Sequence, residues 1–209
     1  MQAGTRAALV GAAVLTATLA TVAQAGPPPT LIKVKDDKFK PADGSQLVDS
    51  STTWDWADSV EDEHNVREDQ KLFYSGQPTS DVSTQFFKRV SAGTYHYYCE
   101  EHGSRHGGMD GTMRVRPSVL GSVTDDEFPV TWADLPEVEA QFDVRFKVGD
   151  GNWKNWRKNT TSATAIFGNA DDPVDVEPGR TYRVQARTEK AGTDKQSDWS
   201  PKLKVTPQP

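Results

Sequence analysis

Four side chains in this sequence carry the chemistry of a soft-metal site: His64, Cys99, His102 and Met109. The last three fall in one short stretch with the spacing Cys-x2-His-x6-Met, whereas the first comes from a distant segment. The cysteine is the only one in the chain, so it has no internal disulfide partner. Two imidazoles, one thiolate and one thioether form the donor set of a type 1 (blue) copper electron-transfer site, with a weak axial Met.

Each of these residues also has an ordinary structural interpretation. A single cysteine on a strand is often a small buried hydrophobic residue, and His64 alone would be typical of a surface or capping histidine. Met113 and His106 are alternative fourth ligands, but Met109 is favoured because it directly precedes the returning strand. Beyond the proposed ligands only His96 and His106 remain, too few for a convincing second metal site.

The segments around these ligands have the pattern of short β-strands. Alternation, aromatic and β-branched residues indicate strands at 31–35, 51–56, 84–90, 93–99 and 112–115. We expect Cys99 to end its strand with Tyr95 and Tyr97 on the same face, with His102 in a turn and Met109 in a glycine-rich loop. Asn65 is expected to hydrogen-bond the ligand loop through its side chain and the Cys99 sulfur through its backbone N–H.

The second half of the chain is also predicted to be β-rich. Strands are indicated at 130–132, 142–148, 164–167, 181–187 and 203–205, with a hairpin turn at 149–152. The sequence therefore predicts an all-β protein of two β-sandwiches in tandem. The predicted units are residues 31–117 and 123–207, joined by a linker at 118–122.

The first 25 residues have the pattern of a secretory signal peptide. Arg6 is followed by a small-residue apolar run at 7–22 and an A-x-A cleavage site at 23–25. An uncleaved N-terminal anchor is the alternative. Residues 26–30 are predicted to be a proline-rich tether. We therefore expect an exported protein, secreted or in the periplasm or at the cell surface, with no transmembrane span in its mature chain.

The net charge argues against some classes of binding partner. The chain has 24 basic and 30 acidic residues, a net charge of −6, which argues against nucleic acid and leaves room for a basic redox partner protein. Acidic residues flank the ligands, and they form either a solvated rim or a negative face that steers that partner: Glu61, Asp62, Glu63, Glu68, Asp69, Glu100 and Glu101.

The first half of the chain resembles the cupredoxins, the family of plastocyanin and pseudoazurin. The matching motifs occur in family order and span roughly residues 30–117: DKFKP (37–41), TWDW (53–56), HNV (64–66), AGTYHYYCEEHG (92–103) and GGMDGTMRV (107–115). The resemblance implies an eight-stranded Greek-key sandwich with one type 1 copper. By motif position it implies that the metal ligands are His64, Cys99, His102 and Met109.

The second half resembles a fibronectin type III domain. The resemblance rests on VTW (130–132), VEPGRTYRVQAR (176–187) and SDWSP (197–201). It implies a tyrosine corner at Tyr182 and a core position for Trp132. Trp153, Trp156 and Trp199 are assigned either to the core or to a binding surface, and core packing is favoured.

These patterns predict an exported one-electron carrier with one Cu(I)/Cu(II) ion per chain and a second module that positions it or binds a partner. No catalytic group is indicated, so the chain is not expected to be an enzyme. The alternatives are extracytoplasmic copper storage or delivery, and a non-redox adhesion module.

Overall fold

The computed structural model describes residues 29–58, 61–134, 139–169, 172 and 174–209. Within these ranges the chain forms fourteen strands and no helix, so the predicted all-β class is confirmed. The predicted signal peptide and most of the proline-rich tether lie outside the described residues.

The first eight strands form two four-stranded sheets that pack face to face. The strands are β1 (Thr30–Lys35), β2 (Lys38–Lys40), β3 (Asp43–Leu47), β4 (Thr52–Asp55), β5 (Arg67–Glu68), β6 (Gln85–Lys88), β7 (Gly93–Ser104) and β8 (Gly107–Arg116). Their order is β2-β1-β4-β6 in one sheet and β3-β8-β7-β5 in the other. Strand β1 runs parallel to β4 and β3 parallel to β8, while the remaining pairs are antiparallel.

Alternation along β7 and β8 directs one set of side chains into the core of this sandwich. Tyr95, Tyr97 and Cys99 are buried on one face of β7, as their spacing predicts. On β8, Met109 and Met113 are buried in the same hydrophobic cluster. The proposed sulfur ligands therefore belong to a packed core rather than to a surface loop.

The other six strands form a second pair of sheets. They are β9 (Phe128–Thr131), β10 (Ala140–Val148), β11 (Lys154–Thr160), β12 (Thr164–Phe167), β13 (Tyr182–Lys190) and β14 (Leu203–Val205). Their order is β11-β10-β13-β14 and β12-β9. The predicted turn between β10 and β11 is confirmed, because Gly149 has a φ of 55° and Gly151 N–H donates to the Val148 carbonyl at 3.0 Å.

The predicted aromatic positions of the second half are confirmed in part. Trp132 is fully buried, and the Tyr182 hydroxyl accepts the Glu177 N–H at 2.8 Å, which gives the predicted tyrosine corner. Trp156 also lies in the core. Trp153 and Trp199 lie instead on the outer face of the sheet, where they stack against the guanidinium of Arg145 at 4.6 and 4.0 Å.

The two halves are in direct contact along β7. Thr94 and Asp198 exchange backbone hydrogen bonds of 2.9 and 3.0 Å. The buried Tyr95 hydroxyl lies 2.8 Å from Thr188 Oγ1. The strand that carries Cys99 is therefore also the strand that joins the halves. The domain boundaries at 117–123 stay a prediction.

The hairpin around the proposed ligands differs from the sequence prediction. Strand β7 does not end at Cys99 but continues to Ser104, and β8 begins at Gly107, so Met109 lies on a strand instead of in a loop. The two strands pair on both sides of an irregularity between Tyr98 and Gly103. Glycine has low strand propensity, so the pairing of Gly103 with Gly108 and of Ser104 with Gly107 reflects the hairpin and not an intrinsic preference for extended structure.

Candidate metal centre

A large bulge in the β7–β8 hairpin presents the ligand-bearing segment. Tyr98 pairs with Asp110 and Gly103 pairs with Gly108, so residues 99–102 on β7 lie opposite the single residue Met109 on β8. The backbones approach closely here, because a Cβ atom added to Gly108 would overlap the carbonyl oxygen of His102. The same glycine has a φ of +75°, a conformation that other residues adopt only with strain.

His64 reaches the same place from the segment between β4 and β5. It forms a β-bridge with Thr79, through backbone hydrogen bonds of 3.0 and 2.9 Å. The indole N–H of Trp56 donates to the His64 carbonyl at 3.2 Å. These contacts hold a histidine whose exposed fraction is 0%.

Three donor atoms converge at the bulge. His64 Nδ1 lies 3.8 Å from Cys99 Sγ and 3.1 Å from His102 Nδ1, and Cys99 Sγ lies 3.7 Å from His102 Nδ1. A point in the plane of this triangle is equidistant from all three atoms at about 2.1 Å, close to metal–nitrogen and metal–sulfur bond lengths. The donor set and its spacing therefore fit a trigonally coordinated metal ion.

The burial of the three donors is unequal. His64 and Cys99 have no exposed surface, whereas His102 is partly exposed. His102 is therefore the donor at the solvent edge of the centre. Burial lowers the pKa of His64, and the nearby His102 lowers it further, while the carboxylates of Asp36, Asp62 and Asp37 act in the opposite direction. The net lowering favours the neutral imidazole, which is the form that binds a metal ion.

The structure distinguishes the candidates for a fourth ligand by position. Met109 is 1% exposed and lies in the same hydrophobic cluster as Cys99, opposite the bulge. Met113 is a core residue whose sulfur lies 3.6 Å from the Thr52 hydroxyl, which donates to Gln46 Oε1 at 2.6 Å. His106 is exposed at the tip of the hairpin. The assignment of Met109 as the axial ligand stays a prediction.

Asn65 links the two ligand-bearing segments. Its Oδ1 accepts the Glu100 N–H at 2.9 Å and its Nδ2 donates to Glu100 Oε2 at 2.7 Å, so the predicted hydrogen bond to the ligand loop is confirmed. The Glu100 carboxylate also accepts from Arg67 at 2.7 Å and from the Tyr74 hydroxyl at 3.0 Å. Burial raises the pKa of Glu100, but the hydrogen bonds from Asn65, Tyr74 and Arg67 outweigh it, so the net shift is downward.

The predicted acidic rim is smaller than the sequence indicates. Four of its seven members are exposed: Glu61, Asp62, Glu63 and Glu101. Glu68 and Asp69 were wrongly assigned to the rim, because β5 carries Glu68 inward and the largely buried side chain of Asp69 pairs with Arg105 at 2.6 Å. Glu100 is partly exposed, but its carboxylate is held by Asn65 and Arg67. Asp37, which the sequence did not single out, brings a carboxylate close to His102 and Asp62.

Comparison with known proteins adds little to this geometry. No protein-family model matches the chain, and no curated protein matches it. Among solved structures, the chain is similar to the FN1–FN3 domains of chicken CNTN1, with 8% sequence identity and a TM-score of 0.33. That similarity covers 88% of this chain and 68% of the other. Within the described residues, no helix has the length and apolar character needed to cross a membrane.

Proposed function

We propose that this chain is an exported type 1 copper protein of the cupredoxin class that acts as a one-electron carrier. The observation that supports this most strongly is the convergence of His64 Nδ1, Cys99 Sγ and His102 Nδ1 around a point about 2.1 Å from each atom. Met109 is the proposed weak fourth ligand. Copper bound there supplies a Cu(I)/Cu(II) couple.

The chain surrounds the proposed metal position with rigidly held donor groups that are largely shielded from water. Cys99 and His64 lie in the core, where water does not reach the donor atoms. The Asn65–Glu100 hydrogen bonds fix the separation of the two ligand-bearing segments. A cage with four protein donors leaves no open coordination position for a substrate, so we propose a carrier and not an enzyme.

The exposed edge of the centre carries negative charge. His102 is the partly exposed ligand, and the exposed carboxylates of Asp37 and Asp62 lie beside it. A basic partner protein would be attracted to this edge, and the attraction would weaken as ionic strength rises. We propose that electrons enter and leave through His102, while the fibronectin-like second half positions the carrier.

A copper titration of residues 26–209 tests the proposal. We expect an intense blue band that saturates at one Cu(II) per chain, disappears in Cys99→Ser and survives in His106→Asn. The second variant is a matched control because His106 is an exposed histidine of the same hairpin, and its φ of 64° suits asparagine.

Three outcomes would contradict the proposed carrier and favour another function. A pale band that survives Cys99→Ser, or no binding, would refute a type 1 site and favour the adhesion module. Rapid loss of copper to a mild chelator would favour copper delivery. Oxygen consumption with phenols or metal ions would indicate an enzyme, whereas a reversible one-electron wave supports the carrier.

A further inference from the structure

Two buried polar atoms face each other beside the proposed metal centre. Asp36 Oδ1 lies 3.9 Å from His64 Nε2, on the side of the imidazole away from Cys99. Neither atom has a hydrogen-bond partner among the described residues, and both are shielded from solvent. Buried polar atoms are nearly always paired in native proteins, so two unpaired atoms at one place call for an explanation.

The turn that carries Asp36 directs this carboxylate at the histidine. Asp36 and Asp37 form the two-residue connection between β1 and β2. The lysines of β1 do not occupy the oxygen that faces His64, because Lys33 and Lys35 both pair with Asp58, at 2.7 and 3.1 Å.

The chemistry of a bound imidazole makes the two atoms complementary. If His64 Nδ1 binds a metal ion, the ring proton must lie on Nε2, which then becomes an obligatory donor. The acceptor within reach is Asp36 Oδ1, and an approach of about 1 Å would give a charge-assisted hydrogen bond of normal length.

We propose that Asp36 is a positioning residue of the metal centre, and that its carboxylate accepts the Nε2–H of His64. This inference rests on the proposed function of the centre as a copper site. The hydrogen bond fixes the tautomer and the ring orientation of His64 and makes its Nδ1 a stronger donor. The negative charge favours Cu(II) over Cu(I), so its loss raises the reduction potential.

Three variants separate the hydrogen bond from the charge. Asp36→Ala removes both, Asp36→Asn keeps an oxygen acceptor without the charge, and Asp37→Asn removes a neighbouring charge that does not face Nε2. Asn is suited to position 37, where φ is 59°. Thermal unfolding of each variant in EDTA establishes that the fold is retained.

We expect Asp36→Ala to weaken Cu(II) binding about 10-fold or more in a chelator competition, the usual effect of losing the partner of a ligating histidine. A tenfold loss specific to Cu(II) raises the reduction potential by 59 mV for a one-electron couple. Asp37→Asn should weaken Cu(II) binding clearly less than Asp36→Ala, because it removes a charge that solvent screens and leaves the acceptor of the Nε2–H in place.

A direct measurement of the Nε2 proton of His64 completes the test. In the Cu(I)-loaded protein, the Nε2–H resonance of His64 should be visible by NMR and slow to exchange in the wild type and in Asp37→Asn. This proton should exchange rapidly with solvent in Asp36→Ala and at an intermediate rate in Asp36→Asn.

The outcomes distinguish this inference from the function on which it rests. Suppose that the wild type binds copper, and that Asp36→Ala and Asp37→Asn have the same Cu(II) affinity, reduction potential and Nε2–H exchange rate. That result would refute the role of Asp36 and leave the copper site intact. A wild-type chain that binds no copper would overturn both.

Discussion

Replacement of Glu68 by glutamine is predicted to stabilise the protein at alkaline pH and to have little effect at acidic pH. Glu68 is 1% exposed, and its carboxylate accepts the backbone N–H groups of Gln70 and Leu72 at 2.8 and 3.0 Å. Burial raises the pKa of this carboxyl from 4.5 to about 7, since loss of hydration outweighs those two hydrogen bonds. Asp69 raises the pKa further, while Arg105 lowers it.

The sign and size of the effect follow from linkage. The folded state holds the Glu68 proton more tightly than the unfolded state, so this contribution to stability is complete below pH 4.5 and is lost as pH rises through 7. Each pKa unit corresponds to about 1.4 kcal/mol, which gives a loss of about 3 kcal/mol. Glutamine resembles the protonated acid and can still accept both N–H groups, but it does not ionise.

Urea unfolding at pH 4.5 and pH 8.5, in EDTA, measures this difference. We expect Glu68→Gln to match the wild type at the lower pH and to exceed it by about 3 kcal/mol at the higher pH. Glu61→Gln, a change at an exposed carboxylate, should remain within about 0.5 kcal/mol of the wild type at both values. An equal difference at both pH values, or an advantage only in acid, would refute the assignment of Glu68 as a buried acid that loses stability on ionisation.

Two further predictions concern the hairpin and the second half. Gly108→Ala should lower the free energy of unfolding in urea by about 2 to 4 kcal/mol and weaken metal binding, because the new Cβ overlaps the His102 carbonyl oxygen. Gly179→Ala is the control, because Gly179 has nearly the same φ but lies in open space, and it should lower the free energy of unfolding by only about 1 kcal/mol. Equal losses in the two variants would exclude the steric explanation. Tyr182→Phe should lower the free energy of unfolding in urea by about 1 to 3 kcal/mol, because the Glu177 N–H loses its acceptor. Copper affinity should not change. A change in copper affinity would mean that the two halves are coupled more tightly than their contacts indicate.

The sequence predicted the strands whose residues alternate strongly. The order Tyr95-His96-Tyr97-Tyr98-Cys99 indicates both a strand and its buried face, and the structure agrees. Strand β3 was missed because its sequence, DGSQL, has little intrinsic preference for extended structure. It is a strand because β8 offers a parallel partner across all five residues. Strand β11 was missed for a similar reason, since its polar sequence is ordered by pairing with β10.

The donor types of the metal centre were also evident from the sequence, but their surroundings were not. The spacing of Cys99, His102 and Met109 marks one short segment, which forms a bulged hairpin and not the predicted loop. Asn65 next to His64 indicated a contact between segments. Neither the pairing of Asn65 with Glu100 nor the approach of Asp36 to His64 follows from spacing, because each joins segments that are distant in sequence. The burial of Glu68 also depends on a partner distant in sequence, because β5 pairs with β7 opposite Tyr97.

Contacts between protein groups position the two segments that carry His64 and Cys99. His64 is held through its backbone by Thr79 and Trp56, and the Asn65–Glu100 hydrogen bonds tie its segment to the one that begins at Cys99. An electron carrier needs such a cage, since a change in metal charge that required the ligands to move would slow electron transfer. The Asn65–Glu100 pair lies between the segments that carry His64 and Cys99, so breaking it should disturb the geometry of the centre more than it disturbs the fold.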